Sequence, residues 1–187
     1  MAEKDYSHLT EKTLSSENVF NGELLHVFSD KVVQTSGKIC TREYIKHKGA
    51  VCILPLDNEG NVYIEHQFRY PLHRTIIELP AGKLDSFNEI PLEAAKRELE
   101  EETGLVASKW TSMGTYTPTC AYSDEIIHLY LARNLSQKKQ NLDEDEMLDV
   151  EKIPFKTLLN MVSSGEVTDG KTQVLVLLTA LKQYPGD

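Results

Sequence analysis

The sequence predicts a layered α/β domain. Alternating and continuous apolar segments up to about residue 80 are typical of strands, whereas apolar residues at three- and four-residue spacing after residue 90 are typical of helices. Strands that are mixed with helices in this way form layers around one core. The chain has 187 residues, 40% of them hydrophobic, which is enough for one globular domain with a small appended unit.

The first predicted elements are strands. Residues 19–47 are expected to form two or three strands, with the segments LLHVFSDKVVQ and ICTREYIKH on either side of a turn at Ser36–Lys38. Residues 50–57 form a nearly continuous apolar strand, and residues 62–70 form an alternating strand after the turn at 58–61. Two hairpins are therefore expected.

The next predicted element is a helix from about residue 90 to 103. Pro91 suits a first helical position, Ala95 and Leu99 recur at four-residue spacing, and Gly104 stands where a helix usually ends. Ala95 and Leu99 are expected to face the core, which places the glutamates of this helix on another side.

The C-terminal part is predicted to contain one strand and two helices. Residues 125–135 are typical of a strand, and residues 155–165 and 172–184 are typical of helices. The stretch between them, residues 141–154, is an acidic loop by composition.

A cluster of negative charge ends the first predicted helix. Six glutamates and only two basic residues lie between Glu89 and Thr103, and three of the glutamates are consecutive at 100–102. The helix dipole disfavours anions in the last turn by about 0.3–1 kcal/mol each. A solvated charged face is the ordinary explanation of such a run. A hard divalent cation resolves the conflict better, because Mg²⁺ takes carboxylate oxygens and shares its remaining positions with water and substrate phosphates.

The same residues resemble a known family signature. Gly82, Glu89 and residues 97–105 (RELEEETGL) are similar to the Nudix box, Gly-x5-Glu-x7-Arg-Glu-U-x-Glu-Glu-x-Gly-U, where U is aliphatic. Six residues rather than five separate Gly82 from Glu89. The resemblance implies a Nudix α/β/α sandwich with a mixed sheet in residues 48–187, plus a small N-terminal antiparallel β unit in residues 1–47 that builds a homodimer.

The resemblance also implies a metal site. The implied ligands are the Ala81 carbonyl and the carboxylates of Glu98, Glu101 and Glu102. The expected cation is Mg²⁺, with Mn²⁺ as the alternative, and Glu102 is counted among the catalytic residues. Arg97 is expected to orient the glutamates by hydrogen bonding and to reach back to Glu93 at i−4. No organic cofactor is expected.

Three further stretches resemble ADP-ribose pyrophosphatases and related sugar-nucleotide pyrophosphatases. QFRYP implies that Arg69 binds a phosphate, for which a planar guanidinium is suited, although an arginine at a strand end is ordinarily a surface ion-pair partner. ELPAG implies that Glu78 lies near the diphosphate of the substrate. The acidic stretch implies Glu146 as the residue that activates water, with Glu144 as the second choice.

The implied reaction is the Mg²⁺-dependent hydrolysis of ADP-ribose, or of a related nucleoside diphosphate sugar such as GDP-mannose, to a nucleoside monophosphate and a sugar phosphate. Two alternatives stay open. One is a Nudix hydrolase of nucleoside triphosphates or dinucleoside polyphosphates, and the other is a nucleotide-sugar sensor without turnover.

Composition restricts the partners. The formal charge of −9 argues against a nucleic-acid binder, because no basic stripe is present to displace counterions. The N-terminal residues lack the apolar segment of a signal peptide, and the longest apolar run, VLVLLTAL, is too short to span a membrane. The three cysteines show no paired spacing. A cytoplasmic protein with a small-molecule substrate and no membrane partner is expected.

Overall fold

The computed structural model describes residues 4–142 and 147–183. These residues form two compact units. The first unit contains the residues up to His47 together with Thr119–Glu125, and the second contains Lys48–Pro118 and the residues from Ile126 onward.

The first unit is built on a three-stranded antiparallel sheet in the order β1-β2-β3. Its strands are β1 (Glu11–Asn21), β2 (His26–Gln34) and β3 (Ile39–Lys46). A short 3-10 turn, Ser7–Leu9, precedes them. The segment Thr119–Glu125 joins this unit through backbone hydrogen bonds, among them one from the Ile45 N–H to the Tyr122 carbonyl at 2.9 Å.

Strand β1 is an edge strand whose residues are all exposed within this chain. The exposed residues include Leu14, Val19 and Phe20. The sequence did not predict most of β1, because a strand with no buried face has no reason to alternate between apolar and polar residues.

Among the residues that the structure describes, the second unit contains seven strands in two sheets. The strands are β4 (Ala50–Pro55), β5 (Asn61–Arg69), β6 (Arg74–Glu78), β7 (Ala81–Lys83), β8 (Leu105–Tyr116), β9 (Ile127–Gln137) and β10 (Leu148–Pro154). A mixed sheet has the order β7-β4-β9-β8, in which β4 and β9 are parallel. An antiparallel sheet has the order β10-β5-β6.

Three helices complete the described part of the second unit. They are α1 (Pro91–Thr103), α2 (Phe155–Ser164) and α3 (Gly170–Gln183). Their positions confirm the three predicted helices. Within the described ranges, no helix combines the length and apolar character that crossing a membrane requires.

Strand β4 separates two hydrophobic cores. Val51 lies in a cluster with Leu99 of α1, whereas the next residue, Cys52, lies in a cluster with Leu175 of α3. Successive side chains of a strand point to opposite faces of the sheet, so α1 and α3 cover opposite faces. The result is the predicted α/β/α sandwich around a mixed sheet.

Four strands of the second unit, β6, β7, β8 and β10, were not predicted from the sequence. β8 follows α1 directly, and β10 occupies the second half of the stretch that was predicted as an acidic loop. β10 pairs with β5 from Leu148, opposite Gln67, to Pro154, opposite Asn61. Its exposed acidic residues, such as Glu151, are typical of a loop, so the sequence did not indicate that this segment is an edge strand.

Candidate active site

The site is built where α1 packs against β7. Gly82 in β7 lies directly beneath the carboxylate of Glu98, since a Cβ atom added to this glycine would be 1.9 Å from Glu98 Cδ. Only glycine lets the helix and the strand approach this closely. The glycine that opens the signature therefore has a packing role that no other residue can fill.

Helix α1 divides its residues between the core and the site. Ala95 and Leu99 are fully buried, as predicted. Glu98 and Glu102, which are one turn apart, are also buried, with 8% and 2% of their surface exposed. Two carboxylates are costly to bury without compensating partners.

Glu102 is anchored to the backbone of β7. Its Oε2 accepts a hydrogen bond from the Ala81 N–H at 2.9 Å. With Glu98 packed over Gly82, both buried carboxylates lie over the same two residues of β7. This arrangement brings Ala81, Glu98 and Glu102 together, as expected from the sequence.

Arg97 is the cation at the centre of the acidic cluster. Its Nη1 donates to Glu98 Oε1 at 2.8 Å and to Glu101 Oε2 at 3.2 Å. Burial alone would lower the pKa of Arg97, but the charge of Glu98 outweighs it and the pKa is raised. The guanidinium therefore stays charged and orients two glutamates.

Arg97 differs from expectation in one contact. The predicted partner at i−4, Glu93, is paired with Lys96 at 2.8 Å. Arg97 instead uses Nη2 to contact the Lys83 carbonyl at 3.3 Å and Glu89 at 3.4 Å. Its side chain points toward the loop between β7 and α1, so it ties the loop to the helix.

A second group of charges surrounds Glu78 at the end of β6. Arg69 forms a two-point ion pair with Glu78, with Nε to Oε1 and Nη2 to Oε2 both at 2.6 Å. Lys171 of α3 donates to Glu78 Oε2, also at 2.6 Å. Burial alone would raise the pKa of Glu78, but the hydrogen bond from Arg69 and the charge of Lys171 outweigh it, and the pKa is lowered.

The two groups of charges are joined by the short segment from Glu78 to Ala81. Glu78 is held by Arg69 and Lys171 at one end, and Ala81 is held by Glu102 at the other. Three residues of chain span at most about 11 Å. The predicted phosphate-binding residues and the predicted metal-binding residues therefore occupy one region.

A family model for the NUDIX domain matches residues 46–177. The chain belongs to the NUDIX family. The ADP-ribose pyrophosphatase of Bacillus subtilis (strain 168) is 41% identical over 177 residues, which cover 94% of this chain and 95% of that protein. The methanol dehydrogenase activator of Bacillus methanolicus is 35% identical over 175 residues, 92% of this chain and 94% of that protein.

A solved structure confirms the fold. The crystal structure of an ADP compounds hydrolase superposes with a TM-score of 0.81 and 19% sequence identity, over 94% of this chain and 96% of that chain. The predicted NUDIX α/β/α architecture with a mixed sheet is thus correct.

The NUDIX box of this chain has a loop that is one residue longer than the usual pattern. Glu89 closes this loop by accepting the Asp85 N–H at 2.6 Å through Oε2. Its Oε1 lies 3.4 Å from Arg97. The longer loop is therefore closed by the hydrogen bond between Asp85 and Glu89, and Glu89 still contacts Arg97 of the box.

The residues present fit a hard divalent cation. In the part of the chain that the structure describes, no three His, Cys, Asp or Glu side chains are grouped so as to hold a metal ion. Mg²⁺, however, is held in many sites by one or two carboxylates, with water and substrate phosphates as its other ligands. The buried pair Glu98 and Glu102 supplies such oxygen donors. Glu101 is linked to this pair through Arg97.

Two predicted residues cannot be placed. Glu146 and Glu144 lie outside the described residues, so the assignment of the water-activating glutamate stays a prediction.

The contribution of α3 to the site was not predicted from the sequence. Lys171 contacts Glu78, and Asp169 Oδ2 accepts the backbone N–H of Thr172 at 3.0 Å, as an N-terminal capping residue does. The sequence TDGKT ahead of an apolar run carries that capping signal. Nothing in the spacing indicates that Lys171 would reach a glutamate 93 residues earlier.

Proposed function

We propose that this chain is a divalent-cation-dependent pyrophosphatase, using Mg²⁺ or Mn²⁺. It hydrolyses the diphosphate of ADP-ribose, or of a related nucleoside diphosphate sugar, to a nucleoside monophosphate and a sugar phosphate. The observation that carries this proposal is the placement of the buried carboxylates Glu98 and Glu102 beside the Arg69–Glu78 pair. The similarity to the ADP-ribose pyrophosphatase of Bacillus subtilis supports the substrate class.

The metal-binding role belongs to the NUDIX helix. Glu98 and Glu102 would hold the cation, with the Ala81 carbonyl and Glu101 as further ligands. When bound, the cation neutralises charge on the diphosphate and lowers the pKa of a water molecule. Arg97 keeps the glutamates oriented, because it holds Glu98 and Glu101 through one nitrogen.

Arg69 is suited to bind the diphosphate. Glu78 accepts from its Nε and Nη2, and no described residue accepts from its Nη1. The side chain is 39% exposed, whereas that of Glu78 is 3% exposed. A guanidinium that is fixed along one edge and accessible along another can donate to a phosphate oxygen without losing its orientation.

The reaction requires one proton acceptor. The oxygen of water attacks phosphorus, the bridging phosphorus–oxygen bond breaks, and its electron pair leaves with the departing phosphate. The proton of the water goes to a carboxylate, for which Glu146 is the first choice and Glu144 the second.

We further propose that the protein is a homodimer built through the N-terminal sheet. Strand β1 presents an exposed edge with Leu14, Val19 and Phe20. An exposed edge strand of eleven residues is prone to pair with another chain, so natural proteins usually cover it. Light scattering after size exclusion should give about twice the chain mass of 21.2 kDa, and Val19→Lys with Phe20→Lys should give the monomer. A monomeric wild type would contradict this proposal.

The three thiols fit the expected cytoplasmic location. Cys40, Cys52 and Cys120 are all free thiols. Cys52, in β4, is buried on the side of the sheet that α3 covers. Burial raises the pKa of the Cys52 thiol, so it stays protonated and unreactive.

Product analysis tests the proposed reaction. Purified protein with Mg²⁺ is incubated with ADP-ribose, ADP-glucose, GDP-mannose, UDP-glucose and ATP, and the products are separated by ion-exchange chromatography. The proposal expects a nucleoside monophosphate and a sugar phosphate from at least one sugar nucleotide. Cleavage of ATP alone would favour the triphosphate alternative, and binding without cleavage would favour a sensor.

A further inference from the structure

A lysine outside the NUDIX box is built into the candidate site. Lys171, near the start of α3, has a side chain that is 13% exposed, and it lies 2.6 Å from Glu78 Oε2 and 3.1 Å from Asp169 Oδ2. A lysine is rarely buried this far without charged partners. Burial alone would lower the pKa of Lys171, but the charges of Asp169 and Glu78 outweigh it and the pKa is raised. Lys171 is therefore charged at neutral pH.

The neighbours of Lys171 hold the segment from Glu78 to Ala81, which joins the two groups of charges in the site. The hydroxyl of Thr172, which is fully buried, accepts the Leu79 N–H at 2.9 Å and donates to Asp169 Oδ2 at 2.6 Å. Leu79 directly follows Glu78 in the chain. The start of α3 thus holds both the backbone of Leu79, through Thr172, and the side chain of Glu78, through Lys171.

Glu78 is shared by two cations. Its Oε2 accepts from both Arg69 and Lys171, and its Oε1 accepts from Arg69. With Lys171 present, the charge of Glu78 is balanced by Lys171 as well as by Arg69. Without Lys171, the same carboxylate would be balanced by Arg69 alone, and the positive potential that Arg69 offers to a phosphate would fall.

We propose that Lys171 is a positioning residue for diphosphate binding, which neutralises Glu78 so that Arg69 keeps both its orientation and its positive potential for the substrate. This inference rests on the proposed function. Lys171 acts through Glu78 and Arg69 and does not itself contact the substrate.

Steady-state kinetics of Lys171→Met test this role. With ADP-ribose and Mg²⁺, KM is expected to rise about tenfold, as for the loss of one charge close to a partly screened binding site, while kcat changes less than about threefold. Binding of ADP, measured by isothermal titration calorimetry without turnover, should weaken by a similar factor. Lys182→Met, which removes an exposed lysine from the other end of α3, should leave both unchanged.

Two further variants separate a charge effect from damage to the fold. Lys171→Arg keeps the charge and should retain most of the affinity for ADP. In the double variant Glu78→Gln with Lys171→Met, both charges are removed, so Arg69 regains its positive potential and ADP should bind more tightly than to Lys171→Met alone. If Lys171→Met folds poorly, the double variant is compared with wild type instead, whose affinity for ADP it should largely retain, because replacing both partners of a buried pair is better tolerated than removing one. Loss of ADP binding by a folded double variant would then contradict the inference.

The outcomes are distinct. A wild type that hydrolyses ADP-ribose, together with an unchanged KM and ADP affinity in Lys171→Met, would overturn the inference and leave the proposed function in place. A fall in kcat that matches a loss of folded protein, at unchanged KM, would assign Lys171 a merely structural role. A wild type that cuts no sugar nucleotide would overturn the proposed function itself, whatever the variants do to ADP binding.

Discussion

The carboxylate of Glu102 accepts the backbone N–H of Ala81 at 2.9 Å, so the last turn of α1 is fastened to the start of β7. Ala81 is followed by Gly82, over which Glu98 packs. The two buried carboxylates are therefore positioned by the backbone of one short strand, and their geometry depends on how closely the helix can approach it.

The first prediction concerns that close approach. Gly82→Ala places a Cβ atom within 2 Å of the Glu98 carboxylate, so the helix or the glutamate must move. We expect kcat/KM for ADP-ribose to fall about 100-fold, because small displacements of positioned groups are expensive in catalysis. Gly60→Ala is the control, since a Cβ atom there meets nothing within 4 Å and only strains a turn at φ +84°. Equal activity of the two variants would show that the contact with Glu98 is unimportant.

The second prediction concerns Arg97. Arg97→Met removes the cation between Glu98 and Glu101, so the two carboxylates repel each other and lose their orientation. Activity is expected to fall about 10- to 100-fold, the range for residues that orient metal ligands. Lys96→Met, in the adjacent position, breaks only a surface pair with Glu93 and should change activity less than about twofold. A fully active Arg97→Met protein would refute the orienting role.

The third prediction concerns stability and pH. The pKa of Glu78 is lowered in the folded state, so its ionised form stabilises the fold above the ordinary pKa of a glutamate, and this contribution is lost as the pH falls through the lowered value. At pH 7, Glu78→Gln should cost about 3 kcal/mol, the lower end of the range for breaking a buried ion pair, because Arg69 is partly exposed.

Urea unfolding at several pH values measures this dependence. The difference in the free energy of unfolding between wild type and Glu78→Gln should be largest at neutral pH. It should shrink as the pH falls below about 4. Glu166→Gln, at an exposed position, provides the control. Its free energy of unfolding should differ little from that of wild type at any pH. A difference that grows on acidification would contradict the assigned sign.

Much of the site could be predicted from local sequence. Glu98 and Glu102 are four residues apart on a helix whose apolar face was evident, so their shared side followed from helical geometry. The place of Gly82 beneath Glu98 agrees with the NUDIX box. These features depend on residues that are close in the chain.

Other features depend on long-range pairing, which local patterns do not specify. Arg97 contacts the loop at Asp85 and Glu89 rather than the helical position Glu93, because the fold brings that loop back over the helix. Strand β10 has an acidic exposed side, and only its pairing with β5 distinguishes it from a loop. Lys171 reaches Glu78 because α3 packs behind the mixed sheet, a relationship that no spacing in the sequence expresses.

The most direct test of the central claim is the hydrolysis of ADP-ribose as a function of Mg²⁺ concentration, for wild type and for Glu102→Gln. The amide keeps an oxygen that can accept the Ala81 N–H, so the fold should be retained, as circular dichroism and thermal unfolding would verify. The account predicts that wild type releases AMP and ribose 5-phosphate in a Mg²⁺-dependent manner, and that the variant loses on the order of 10²–10³-fold in kcat/KM, the scale for one preorganised charge-stabilising group. A folded Glu102→Gln protein with wild-type activity and unchanged dependence on Mg²⁺ would contradict it.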